Sequence, residues 1–433
     1  MDNVTLARVT MGTSLAFHIV FAVLGVGLPV LMSVAEGLGL RRKDAVWMDL
    51  ARRWSKAFGV LFAVGAVSGT VLSFELGLLW PRFMALSGSM IGLPFSAEGF
   101  AFFLEAIFLG LYLYGWNRLS PTAHWLMSIP IAISGAASAL FVVMTNAWMN
   151  HPTGFELVNG QVTQVDPLAA ALNAATPTED THMLVSAYVC TGFLVASVYA
   201  AGMLRGRVDA AHRRGLAAGM TMGLVAIALA GITGDSSARF VYTDQPAKFA
   251  SMEGLYRTAR GVPIHIGGIP ADSQQRVVFG LEIPKGLSLL AAFDPNAEVK
   301  GLNEFPPADR PNPVLVHLSF DTMVGLGTLL GLLALAFWGL AWRRHAIPSL
   351  KPLLVAVTIA GPAAVIAMEA GWFVTEFGRQ PWVVYGILRT AQAATPVPGL
   401  FISLVAFVLI YVALAVTTAR LLLLLAERRR QAE

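Results

Sequence analysis

Charge is what this chain has least of: 13% of its 433 residues are Asp, Glu, Lys or Arg, about half the share of a soluble globular protein. That deficit excludes an ordinary water-facing domain. Cysteine is nearly absent too. The one thiol, Cys190, lies inside an apolar run, which excludes an internal disulfide or a Cys-based metal cluster. The formal net charge is only +4, and in so apolar a chain Lys and Arg report topology rather than a nucleic-acid partner. The opening MDNVTLARVTMGTSLAFHIV has no basic region ahead of its apolar stretch, and that stretch is too long for a cleaved signal. It reads as a first membrane helix. No internal repeat points to an inverted-repeat transporter.

What is present is a series of apolar runs of roughly 20 residues, each long enough to cross a bilayer core of about 30 Å. Leu15 to Val34 and Leu400 to Ala419 are two of them, and about nine occur by that length criterion. The expected fold is all-α, a polytopic transmembrane bundle. Basic residues alternate between connections. Arg41, Arg42, Lys43, Arg52, Arg53 and Lys56 follow the first helix and Arg118 the third. Arg205, Arg207, Arg213 and Arg214 follow the fifth, Arg343, Arg344 and Lys351 the seventh, and Arg420, Arg428, Arg429 and Arg430 the ninth. The positive-inside rule then puts the N-terminus outside and the C-terminus in the cytoplasm. Helices 1–6 are expected over residues 1–233, a long polar outer connection over 234–316, and helices 7–9 over 317–433. A second outer segment spans Asn150 to Asp180.

Ionisable groups inside a bilayer are costly and mark function by default. His18 falls in the first helix, Glu98 and Glu105 near the start of the third, and His182 opens the fifth. Asp321, with Met323 beside it, opens the seventh, and Glu369 and Glu376 lie late in the eighth. On this topology nearly all lie in the outer half, with His18 only about two turns, roughly 12 Å, below the surface. Imidazole, thioether and carboxylate at one depth are axial ligands for porphyrin iron. Singly, each has a plainer explanation: an intramembrane His usually bonds a neighbouring helix, and a Met usually packs. Glu98 and Glu105, seven residues apart, return to one helix face roughly 10 Å apart, as do Glu369 and Glu376. Stacked carboxylates of that kind suit proton transfer, although Glu98 could simply cap its helix.

The stretch GWFVTEFGRQPW, Gly371 to Trp382, resembles the signature of the cytochrome bd oxidase subunit I family. Further similarities follow in order: AFHIVF around His18, EGFAFFLEAIFLGLY from Glu98, WMNHPTG from Trp148, THMLVSAYV around His182, QPAKFASMEG from Gln245 and SFDTMVGLG around Met323. Together they cover essentially the whole chain.

The resemblance implies a quinol:oxygen oxidoreductase of the bacterial cytoplasmic (inner) membrane. Quinol would be oxidised at the outer face and dioxygen reduced to water, building proton motive force without a pump. It implies His182 and Met323 as ligands of haem b558. His18 and Glu376 would serve haem b595 and haem d, or a third haem b in place of haem d, with the assignment between the two open. It places Trp372 between haems, Arg379 against propionates, Lys248 and Glu253 at the quinol in the outer loop, and Glu98 and Glu105 on the proton path. Subunit II is the implied partner, with a small single-helix subunit as an optional addition. The chain departs from the family where Asp321 stands in place of a frequent Arg, and its outer loop is of the short kind. His151 and Glu369 have no assignment. Two other readings remain: a haem-b electron-transfer subunit that does not reduce oxygen, and an ion-coupled transporter.

Overall fold

Helix boundaries follow the sequence's own stop signals. Lys43 adopts a left-handed conformation that ends the first helix, and Asp44 caps the second by accepting from the Val46 amide. Pro81, Pro121, Pro313 and Pro352 occupy first-turn positions, where the missing N–H costs nothing. The computed structural model describes residues 2–430, apart from the side chains from 427 onwards, so the charged groups of Arg428, Arg429 and Arg430 lie outside the described residues.

Among the described residues, nine helices are long and apolar enough to cross a membrane. They are α1 (Asn3–Arg42), α2 (Ala45–Leu79), α3 (Pro81–Gly115), α4 (Pro121–Asn150), α5 (Thr176–Leu204), α6 (Ala210–Asp244), α7 (Pro313–Arg344), α8 (Lys351–Arg379) and α9 (Leu400–Arg430). The all-α polytopic expectation therefore holds. Helices α1–α4 pack as one four-helix group and α5–α8 as a second; α5 joins them against α1 and α4, and α9 lies on α1 and α2. The main core runs through both groups, with Phe58, Phe193, Phe337 and Tyr112 fully buried.

Several helices run further than their apolar stretches. α3 starts at Pro81, so Glu98 lies well inside it rather than capping its end. His182 and Asp321 sit past the first turn of their helices rather than opening them, and His18 lies about four turns into α1. The polar connection between α6 and α7 is shorter than the expected 234–316, because α6 stays helical to Asp244 and α7 begins at Pro313. Polar residues 234–244 continue the helix partly through an i,i+4 pair, Arg239 with Asp235 at 2.9 Å.

The remaining connection, 245–312, is ordered. It opens with a short helix, Pro246–Met252, and continues as a nested antiparallel hairpin. Ala259–Arg260 pairs with Glu298–Val299, Ile264–Ile266 with Leu281–Ile283, and Ile269–Ala271 with Arg276–Val278. Phe249, Val262, Leu287, Ala291 and Val299 form its own small core.

The basic connections share one end of the bundle. Arg214 at the start of α6 pairs with Asp44 between α1 and α2 at 2.5 Å, and Arg52 reaches Asn117 beyond α3. At the other end, Gln245 bonds the Asn150 carbonyl, the Tyr385 amide bonds Met149, and Arg389 pairs with Asp309.

Candidate haem and quinol sites

The two histidines expected to bind haem, His18 and His182, are each held by a hydroxyl of the next helix. His18 Nδ1 lies 2.9 Å from Ser68 Oγ on α2, and His182 Nδ1 lies 3.1 Å from Thr233 Oγ1 on α6. Both hydroxyls donate to their own helix: Ser68 to the Val64 carbonyl at 2.9 Å, Thr233 to that of Leu229 at 3.1 Å. A hydroxyl has one proton, so each oxygen faces its imidazole as an acceptor. This arrangement suits rings that carry their proton on Nδ1 and keep a lone pair on Nε2. That is the form in which histidine binds a metal, with the second nitrogen anchored.

The eighth helix supplies space for side chains of its neighbours. A Cβ at Gly371 would stand 3.0 Å from the Met323 sulfur, and one at Gly378 would stand 2.7 Å from Lys248 Cγ. The two glycines are seven residues apart on α8, so the GWFVTEFGRQPW signature makes room for Met323 of α7 and for Lys248 of the 245–312 connection. Glu376, between them, is part-exposed and pairs with Arg379 at 2.9 Å. The Arg379 guanidinium is buried. Its other terminal nitrogen donates to Asn146 at 2.9 Å and Asn150 at 3.4 Å, leaving Nε buried and unpartnered. Arg379 is thus engaged by Glu376 and two asparagines, and Nε–H with the second N–H of Nη2 is left for a further acceptor such as a propionate. The asparagine amides in turn donate to Glu179 at 2.8 and 2.9 Å. Trp372 is part-buried against the main core.

Lys248 is buried and its ammonium reaches Thr375 Oγ1 at 3.5 Å. Burial pulls its pKa down to about 8, although the Glu179 carboxylate opposes the shift. Glu253 is also buried, and desolvation reinforced by the charge of Asp321 pushes it up to about 8. Asp321 faces His317 at 3.4 Å, and His317 Nδ1 bonds the Met252 carbonyl at 2.7 Å. Asp321 therefore has a partner that the sequence did not reveal. The unassigned His151 pairs with Asp244 at 3.3 Å and meets Phe240 edge-on.

Glu98 and Glu105 both face α4, as their spacing requires. Glu98 accepts from Ser138 at 3.3 Å, and buried Glu105 lies against Gly135 with one oxygen unpartnered. Glu369 is buried at both oxygens with no partner. Sequence reasoning passed over Glu75, a buried carboxylate of α2 that accepts from Ser14 at 2.7 Å. It meets the same test of charge within an apolar run. It also passed over Ser68, Thr233, Asn146, Asn150, Glu179 and His317, most of which are ordinary helix residues until a neighbouring helix is placed beside them.

A model of the cytochrome bd terminal oxidase subunit I family matches residues 6–430. The chain belongs to that family. It is 38% identical over 429 residues to the putative cytochrome bd menaquinol oxidase subunit I of Bacillus subtilis, covering 98% of this chain and 96% of the relative. It is 29% identical to cytochrome bd-II ubiquinol oxidase subunit 1 of Escherichia coli, over 95% of this chain and 93% of that one. The bd oxidase structure from Geobacillus thermodenitrificans superposes with a TM-score of 0.93 at 39% identity, covering 99% of both chains.

A bd oxidase subunit I is a membrane-embedded part of a quinol oxidase, carries haem and works with a subunit II. The residues present fit haem. Two imidazoles offer Nε2, a thioether and a carboxylate come from neighbouring helices, and Gly69, Gly234 and Gly371 lack the side chains that would crowd His18, His182 and Met323.

Proposed function

We propose that this subunit oxidises quinol at the end of the bundle formed by the connection 245–312, which would be the outer face of the bacterial cytoplasmic membrane. Electrons would pass inward to dioxygen. Bound haems supply the electron transfer and the reduction of oxygen. The observation that carries this reading is the pair of Nδ1-anchored histidines on separate helix groups, with Met323 and Lys248 both seated on glycines of one α8 segment.

In this reading His182 and Met323 hold the low-spin haem b558. His18 and Glu376 hold the high-spin pair, haem b595 and haem d or a haem b in its place. Glu376 needs a counter-charge wherever it sits, and Arg379 gives one at 2.9 Å. Lys248 fixes a quinol oxygen by donating to it. Glu253 takes a quinol proton once it has lost its own, which its raised pKa makes a reversible step near neutral pH. Glu98 and Glu105 line the α3–α4 seam and pass protons from the opposite, basic end. The two relatives are named for different quinols, so the substrate is proposed at the level of the quinol class.

The test is a set of visible spectra on the purified oxidase. His182→Ala and Met323→Ala should each remove the low-spin haem signal. His18→Ala and Glu376→Ala should leave that signal and remove a high-spin haem together with oxygen uptake. A normal low-spin spectrum in both of the first two variants would falsify the ligand assignment. An oxidase without oxygen uptake but with His182 and Met323 intact in function would favour an electron-transfer subunit instead.

A further inference from the structure

The two histidines share more than a hydroxyl neighbour. In both places the hydroxyl residue is followed directly by glycine: Ser68–Gly69 on α2 and Thr233–Gly234 on α6. A Cβ at Gly69 would stand 3.1 Å from His18 Cε1, and one at Gly234 would stand 3.1 Å from His182 Cε1. The same two-residue unit thus appears twice, each time on the helix that follows the histidine's own. Its first member accepts from Nδ1, and its second gives the ring edge room to lie flat on the neighbouring helix.

We infer that Ser68–Gly69 and Thr233–Gly234 are positioning pairs that set the tautomer and rotation of the two iron-binding imidazoles. This deepens the haem-ligand reading above and rests on it. A neutral oxygen accepting from Nδ1–H makes the imidazole a somewhat stronger donor through Nε2, without the full imidazolate character that a carboxylate would impose. Loss of that acceptor weakens the donor, which destabilises ferric relative to ferrous iron. The hydroxyl also removes the competing tautomer. With its own proton committed to the helix backbone, it cannot donate to Nδ1 unless it breaks that bond. Neither glycine serves its helix, where glycine is less favourable than alanine by roughly 0.5–1 kcal/mol. Space for the ring accounts for both.

The experiment uses the assembled oxidase in detergent, with four variants and readouts other than turnover. Thr233→Ala should keep its haem content by pyridine haemochrome and raise the midpoint potential of the low-spin haem. Thr233→Ser, which retains the acceptor, should restore the parent value. Ser68→Ala should lower the iron–histidine stretching frequency of the ferrous high-spin haem in resonance Raman spectra. Gly234→Ala should leave the helix intact and change the low-spin electron paramagnetic resonance g-values by turning the ring. If Thr233→Ala loses the haem, recovery in Thr233→Ser supports the pairing, and loss in both overturns it. Parent potential in Thr233→Ala, or parent frequency in Ser68→Ala, with haem retained, also overturns it. His182→Ala is measured alongside, since a surviving low-spin signal there sinks the ligand reading itself, whatever the hydroxyl variants do.

Discussion

Lys248 and Glu253 lie five residues apart at the start of the 245–312 connection, and both are buried away from water. Burial acts on them in opposite directions, lowering the ammonium and raising the carboxyl until each titrates at about 8. For Glu253 the sign is simple. Below about 8 it is mostly protonated and cannot accept a proton from quinol, and each further unit of decrease in pH lowers its ionised fraction about tenfold. Quinol oxidation at saturating quinol should therefore climb with pH up to about 8. Glu253→Gln should be slow, by about 10²–10⁴-fold, and flat across that range. Steady-state oxygen uptake against pH decides it, and a Gln variant that keeps the parent's rising limb removes Glu253 from the proton step. The pairing of Arg379 with Glu376, Asn146 and Asn150 shows the same logic of burial. A guanidinium withdrawn from water has to be surrounded by oxygen acceptors.

At the scale of elements, the position of His182 depends on how closely α5 and α6 approach. A Cβ on Gly192 would fall 2.6 Å from the Gly223 amide nitrogen, and one on Gly219 the same distance from the Ala196 nitrogen. These small residues, four apart on each helix, let the two backbones touch, which is how membrane helices pack where no hydrophobic drive exists between them. Thr233 and His182 meet further along the same crossing. Gly219→Leu should therefore push the helices apart, at a cost of about 1–3 kcal/mol or more. Its Tm should fall and its low-spin haem signal should weaken. Thermal unfolding and a difference spectrum on the same sample test this, and a stable variant with a parental spectrum would show that the approach is not required.

The whole molecule has two chemically distinct ends. The connections after α1, α3 and α5 bring their basic residues together, as in the Arg214–Asp44 pair, while the opposite end carries 245–312. By the positive-inside rule the basic end would be the cytoplasmic one. In intact cells a Ser273→Cys variant should react with a membrane-impermeant maleimide, whereas Val208→Cys should react only after permeabilisation. The one native thiol, Cys190, is buried and adds little background. The reverse pattern would invert the orientation and move the proposed quinol site to the cytoplasm. Outward faces of α3 and α9, with Phe100, Phe103, Ile107, Ile402 and Leu409 exposed, belong against lipid or the partner subunit, since water would not tolerate so much apolar surface in one place.

The sequence by itself determined the spans, the alternation of basic connections and the chemical types of the candidate ligands. Each of these is local: twenty apolar residues cross a bilayer whatever surrounds them, and a histidine or carboxylate among them is conspicuous. The seven-residue spacing of Glu98 and Glu105 likewise fixed a shared face, and both meet α4. Helix ends were less legible: α3 starts at a proline in its first turn well before Glu98, and α6 runs on through polar residues supported by the Arg239–Asp235 pair rather than by hydropathy. Only the tertiary structure decided which hydroxyl anchors which imidazole, that Arg379 sits between Glu376 and Asn146, and that Gly371 and Gly378 seat Met323 and Lys248. A Ser-Gly or Thr-Gly step in a helix is unremarkable alone. It acquires meaning when a second helix, distant in the chain, brings an imidazole within about 3 Å of it, and that distance is set by packing.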